Sequence, residues 1–250
     1  MSEAVVTLEG VDKRFDNGVQ ALAGVSLRVA PGEFLALLGP SGCGKSTVLR
    51  LAAGLDAPSA GRIDAPALRS GAADTAFVFQ DPTLMPWASV ADNVWLPLRL
   101  AGLGRAEARP RIEAALATVG LADFAAAFPN ELSGGMRMRV SIARALVTRP
   151  RLLLMDEPFA ALDEITRGRL NIDLLAAWQA QGFAAVFVTH SVYEAVFLSQ
   201  RVLVMSARPG RVIDELLIDA PYPRSAAFRH SATFSTACAR LAAALEAAHA

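Results

Sequence analysis

The chain is poor in cysteine: Cys43 and Cys238 are the only two in 250 residues, too few for a disulfide framework and in keeping with a reducing cytoplasm. It lacks net charge, since Lys+Arg and Asp+Glu both number 24, which leaves no electrostatic case for nucleic acid as the main partner. Long apolar runs are missing too. Although 53% of the residues are hydrophobic, stretches such as 152–155 and 184–188 are far shorter than the roughly 18 to 20 residues that cross a bilayer. The opening Met1-Ser2-Glu3-Ala4 has neither a basic nor an apolar region, so no signal peptide is expected. There is no internal repeat, and alanine enrichment is the one compositional bias. What these absences leave is a single compact α/β unit, long enough to bury a substantial core.

Residues 39–47 organise the rest. Gly39, Pro40, Ser41, Gly42, Cys43, Gly44, Lys45, Ser46 and Thr47 contain the pattern GxxxxGK followed by Ser, directly after the apolar run 34–38, which reads as a buried strand. Glycines let the backbone bend tightly and turn successive N–H groups inward, so that a polyphosphate is ringed by donors at the mouth of the following helix. In such a loop Lys45 reaches the β- and γ-phosphates and the Ser46 hydroxyl ligates Mg²⁺. The bland alternative, a strand-to-helix turn that happens to spell the motif, has to explain why strand, loop, Lys-Ser and helix all agree.

Alternation marks strands at 5–8 and 26–29 with a turn at Asp16-Asn17-Gly18, an antiparallel opening. Phe15, just before that turn, either stacks on a flat ligand or packs internally. A helix over 46–53 stops at Gly54. A turn at 58–61, a short strand at 62–64 and a buried strand at 75–79 follow. From 82 to 146 alanine-rich helical segments replace strands, with breakers at Pro86, Pro97, Gly102, Gly104, Gly120 and Pro129. This reads as a helical insertion, with a packed helical face over 105–119. Strand 152–155, helix 164–180, strand 184–188, helix 192–198 and strand 202–205 then alternate, which implies a parallel sheet. A mostly helical, alanine-rich tail covers 225–250.

The apolar run 152–155 ends in Asp156-Glu157. Behind a phosphate loop this pair gains a meaning: Asp156 holds Mg²⁺ directly or through water, and Glu157 polarises an attacking water as general base. Gln80, at another strand end, either meets metal and water or is an ordinary polar terminus. His190 either registers a γ-phosphate or is a surface histidine; its weight comes from lying at the same strand-end edge, where open α/β sheets bind ligands. Leu132-Ser133-Gly134-Gly135 supplies a good N-cap in Ser133 and two glycines that leave helix N-terminal N–H groups uncovered, a second anion site. Two phosphate-facing helix starts in separate parts of one chain point to a nucleotide shared between two copies.

Taken in order, the phosphate loop, Gln80, Leu132-Ser133-Gly134-Gly135, Asp156-Glu157, Ala161-Leu162-Asp163 and His190 make the chain resemble the ATP-binding subunit of an ABC transporter over about residues 4–218. The resemblance implies a P-loop NTPase (RecA-like) α/β core with a mainly parallel sheet, an N-terminal antiparallel β subdomain and an inserted α-helical subdomain. It implies an ATPase domain over 1–218, with the core at 1–81 and 147–218 and the insertion at 82–146, followed by a tail at 219–250. Two copies would close head to tail around two ATP molecules and Mg²⁺, with Phe15 on adenine, Gln80 linking the metal to the insertion and Asp163 across the seam. Met85, Pro86 and Trp87 would help receive a helix of a membrane permease subunit at the cytoplasmic face of the cell membrane, and a periplasmic or surface solute-binding protein would take part indirectly.

Met136, Ala160 and Ser191 depart from the residues frequent in the family at those positions, and Phe15 replaces the usual Tyr while keeping the ring. A finer likeness is to importers of nitrate, aliphatic sulfonates, taurine and thiamine-related pyrimidines, carried by Met85-Pro86-Trp87, Asp156-Glu157-Pro158-Phe159, the segment 189–198 and the segment 205–211. No regulatory C-terminal domain is expected after 218. The alternative, a soluble ABC ATPase acting on nucleic acid or the ribosome, calls for a second ATPase module or a basic patch. A P-loop kinase or GTPase has no use for Leu-Ser-Gly-Gly. Lys45→Ala is expected to weaken ATP binding by at least about tenfold, the loss of one charge-assisted contact; a titration identical to wild type contradicts the phosphate-loop assignment.

Overall fold

The structure, a computed structural model, describes residues 4–65, 74–160 and 162–248; Ala161 of the motif named above lies outside the described residues. Two sheets form from the strands. β1 (Val6–Arg14), β2 (Gln20–Val29) and β4 (Ala60–Asp64) make an antiparallel sheet in the order β2-β1-β4. The second sheet is built from β3 (Phe34–Leu38), β5 (Thr75–Val78), β6 (Leu152–Asp156), β7 (Ala184–Thr189), β8 (Arg201–Met205) and β9 (Val212–Leu217), in the order β5-β6-β7-β3-β8-β9. Its first five strands are parallel and β9 runs antiparallel to β8 at the edge. β3 and β7 are buried along their whole length, as unbroken apolar strands covered on both faces must be.

Period-two alternation along β3 divides the interior into two layers. Phe34, Ala36 and Leu38 face one apolar cluster, and Leu35 and Leu37 face the other. The second layer is closed by β1, β2 and helix α1 (Lys45–Ala52). The first is closed by α2 (Val90–Leu100), α3 (Arg105–Thr118), α4 (Gly134–Leu146), α5 (Glu164–Gln181), α6 (Val192–Leu198) and α7 (Ala232–Ala247).

The opening strands are longer than alternation alone indicates, because register shifts between Leu8 and Arg14 interrupt the two-residue period of β1. The turn between them stands where expected: Gly18 N–H donates to Phe15 O at 2.9 Å, and Asn17 Oδ1 accepts from Val19 N–H at 3.1 Å. Pro97, read as a breaker, lies inside α2. β9 was not expected as a strand, since its exposed Ile213, Glu215 and Leu217 lack the clean alternation of a half-buried strand.

The tail is packed rather than appended. Phe234, Cys238 and Leu241 of α7 are buried in the same cluster as Phe34 and Phe187. Ahead of them Arg224, 3% exposed, donates to the carbonyls of Val196, Phe197, Ser199, Ile218 and Ala220. Tyr222 Oη donates to Leu198 O at 2.9 Å. Burial pushes the Tyr222 phenol up from its ordinary 10 to about 12, against the opposing pull of the Arg224 guanidinium. A folded value above the unfolded one contributes stability that is complete below about pH 10 and lost as pH rises toward 12. Thermal melting of wild type is expected to drop across that window, with Tyr222→Phe showing a shallower drop; parallel wild-type and mutant curves contradict this.

Candidate functional site

The C-terminal ends of β3, β6 and β7 lie side by side in the sheet, and each feeds a loop that carries polar groups. After Leu38 the chain bends through residues 39–44 into α1. Gly44 takes φ 104°, and a Cβ there would lie 2.6 Å from Leu22 Cδ2 and 2.9 Å from Ala21 O, so only glycine fits both the torsion and the space. Lys45 is 4% exposed and its Nζ donates to Gly39 O and Pro40 O, each at 2.8 Å. The ammonium is thus held under its own loop by two carbonyls. Gly39, Pro40 and Cys43 are buried behind that loop. Burial raises the Cys43 thiol pKa, with Lys45 opposing.

Ser46 Oγ donates to Asp156 Oδ1 at 3.0 Å, joining the start of α1 to the end of β6. Burial raises the Asp156 pKa, and this hydrogen bond acts against the shift. Glu157 follows in a left-handed conformation, φ 46°, a strained position for a non-glycine residue. Its N–H donates to Val188 O at 3.0 Å, which ties it to β7. His190 Nδ1 lies 3.4 Å from Glu157 Oε2. The turn behind His190 is fixed by a chain of bonds: Ser191 N–H donates to Thr189 Oγ1 at 3.0 Å, and Thr189 Oγ1 donates to the buried Glu194 Oε2 at 2.5 Å. Burial raises the Glu194 pKa, opposed chiefly by the Thr189 bond.

Part of this set lines a cleft of about 360 Å³; Asp156 and His190 are not among its lining residues and join it through their contacts with Ser46 and Glu157. Ser41, Gly42, Gly44, Lys45, Ser46 and Thr47 line one wall, and Gln80 and Glu157 the other. Phe15, 38% exposed, stands at its edge with Lys13 Nζ 5.3 Å from the ring centroid. The first N–H groups of α1, at Lys45, Ser46 and Thr47, precede its first helical bond, from Val48 N–H to Gly44 O, and suit a polyphosphate. Ser46, Asp156, Gln80 and Glu157 offer hard oxygens, the donor set that Mg²⁺ prefers. Among the described residues no group of three or more His, Cys, Asp or Glu could by itself hold a metal ion.

Ser133, Gly134, Gly135 and Asp163 are elsewhere. They line a separate cleft of about 540 Å³ that contains no phosphate-loop residue. Ser133 caps α4, its Oγ accepting from Met136 N–H at 3.2 Å. Asp163 caps α5, its Oδ1 accepting from Thr166 N–H at 2.9 Å, and that bond holds its pKa below the ordinary carboxylate value. One chain therefore presents two helix starts, at Lys45 and at Gly134, in clefts that share no lining residue.

Arg208 was not foreseen as a site residue, although the segment 205–211 that contains it stood out for its likeness to importers. Its side chain lines the first cleft and donates from Nε and Nη2 to Gly42 O at 3.2 and 3.1 Å. The available signal was its place just after a strand whose C-terminal end lies at the ligand edge of the sheet.

The sequence pattern of the family described as "ABC transporter" matches residues 22–160. A taurine import ATP-binding protein of Rhizobium johnstonii is 50% identical over 208 residues, 82% of this chain and 79% of that protein. An aliphatic sulfonates import ATP-binding protein of Mesorhizobium japonicum is 48% identical over 216 residues, 86% of this chain and 80% of that protein. Among solved structures, the dimeric post-hydrolysis state of the ATP-binding cassette MJ0796, bound to ADP and Pi, superposes with a TM-score of 0.77 at 33% identity, covering 86% of this chain and 100% of that one. The chain belongs to the ABC transporter family. Within it the chain is an ATP-binding subunit and an ATPase with the P-loop NTPase fold.

Proposed function

We propose that this chain energises an importer for a small solute of the nitrate, sulfonate or taurine class, or a pyrimidine precursor, by binding ATP between two copies of itself. The observation that carries the reading is the separation of its two helix starts, at Lys45 and at Gly134, into different clefts. Head-to-tail pairing brings the phosphate loop of one copy to Ser133, Gly134 and Gly135 of the other, with Asp163 at the seam and Phe15 against adenine. Relatives named for taurine and sulfonate import support the solute class.

Within each site the loop N–H groups and Lys45 hold the β- and γ-phosphates. Ser46 and Asp156, with Gln80, would hold Mg²⁺, which neutralises phosphate charge when bound. Glu157 takes a proton from water as the water oxygen bonds to the γ-phosphorus and the bond to the ADP oxygen breaks. His190, beside Glu157, meets the γ-phosphate. Closure accompanies ATP binding, and reopening follows hydrolysis.

The permease docks on the insertion, which we place at 82–146 within an ATPase domain of 1–218, with 219–250 as a tail. Trp87 is 78% exposed, yet its loop is firmly built. Buried Asn93 accepts from Met85 N–H and donates to the carbonyls of Met85, Ala88 and Ser89. Arg144 ties the same region to α4 through Pro82 O and Thr83 O. A rigidly presented aromatic suits an interface anchor. Since no described helix is long and apolar enough to cross a membrane, the chain would sit peripherally at the cytoplasmic face, with a solute-binding protein acting through the permease.

Glu157→Gln is expected to keep ATP binding while turnover falls about 10²- to 10⁴-fold and an ATP-bound dimer accumulates on size-exclusion chromatography. Turnover at the wild-type rate would remove Glu157 as the base.

A further inference from the structure

Outside the residues already assigned, the segment 206–211 between β8 and β9 makes close contact with the phosphate loop. A Cβ on Gly210 would lie 2.0 Å from Cys43 O, so the two backbones touch there and no side chain can come between them. The segment is held from three sides. Gly210 N–H donates to Ala21 O at 2.9 Å, and Ala23 N–H donates to Gly210 O at 3.0 Å, which fixes it to β2. Ser206 N–H donates to Arg211 O at 2.9 Å, and Ser206 Oγ accepts from Arg211 N–H at 3.1 Å, which closes the turn on itself. Ala207 N–H donates to Ala248 O at 3.0 Å, which fixes the turn to the end of the tail helix.

From this braced turn Arg208 reaches Gly42 with two donors on one carbonyl oxygen. Gly42 sits at φ 73°, in the left-handed region that helps a phosphate loop turn its N–H groups toward an anion. The peptide plane that carries Gly42 O also carries the Cys43 N–H, which donates to Pro40 O at 3.3 Å, so the guanidinium and Pro40 hold that plane from its two sides. The same guanidinium sets a fixed positive charge at the margin of a cleft that must accept a polyanion.

We propose that Arg208 is a positioning residue for the nucleotide. Acting through Gly42 O, it holds the phosphate loop in the shape that receives a polyphosphate, and its charge raises the affinity of the cleft. This rests on the reading of residues 39–47 as the phosphate-binding loop. Lysine at this position keeps the charge but loses the planar fork of donors, so the two contributions are separable.

The test is ATP and ADP binding by the full chain as wild type, Arg208→Ala and Arg208→Lys, with melting of each nucleotide-free protein and steady-state ATPase kinetics. Arg208→Ala is expected to raise Kd and KM on the order of tenfold, the effect of one charge-assisted hydrogen bond. Arg208→Lys falls between Ala and wild type, while kcat at saturating ATP and the nucleotide-free melting temperature stay at wild-type values. Wild-type Kd in Arg208→Ala overturns the proposal, as does a weakened Kd shared equally by both variants with a lowered melting temperature, since that is the pattern of general destabilisation. Should Arg208→Ala fail to fold, Arg208→Lys decides: a wild-type Kd overturns the proposal and an intermediate one supports it. A wild type that binds neither nucleotide rejects the phosphate-loop reading itself, whereas binding by wild type with no loss in the variants rejects only the role of Arg208.

Discussion

A loop that turns its backbone N–H groups toward an anion is stable only if its carbonyls and its buried cation are satisfied by the structure around it, and much of this fold serves that condition. Lys45 is held by Gly39 O and Pro40 O, and Gly42 O by Arg208. Ala21 and Leu22 press on Gly44, while Gly210 presses on Cys43. The antiparallel sheet and the β8–β9 turn thus grip the loop from two sides. The parallel sheet supplies the third support, because β3 lies between β7 and β8 and its end cannot move without breaking both ladders. Rigid support of this kind lets the donors meet a phosphate without first reorganising.

The sheet order also decides which chemistry meets the loop. With β6 and β7 next to β3 on one side, Asp156, Glu157 and His190 arrive at the same edge from distant parts of the sequence. Ser133 lies in a cleft that contains no phosphate-loop residue, so on the proposed reading each chain holds two parts of one site without being able to join them itself. On that reading a site incomplete in one copy and complete in two would couple catalysis to association.

Much of this was legible in the sequence because its strongest signals are local. Unbroken apolar runs gave β3, β6 and β7, and GxxxxGK with Ser marked the turn between strand and helix. Ser133 announces a helix start by its chemistry and accepts the capping bond, and Asp163, not read as a cap, accepts the same bond at the next helix. What stayed hidden depends on tertiary placement. β9 is an edge strand whose outward positions carry Ile213, Glu215 and Leu217, so its pattern is blurred. Pro97 reads as a breaker by local rule, yet lies within a helix that buries Val90, Val94 and Leu98. The spacing of Phe234, Cys238 and Leu241 is helical, but nothing local tells that this face packs on the core. Arg208 and Gly42 stand far apart in sequence and meet only because β8 lies beside β3.

The shared site is tested most directly by mixing two disabled proteins, one carrying Lys45→Ala and the other Ser133→Arg. Random pairing makes about half of the dimers mixed, and each mixed dimer contains one site with both parts intact, so roughly a quarter of wild-type ATPase activity should return. Activity no greater than that of the two variants measured alone contradicts a site built from two copies.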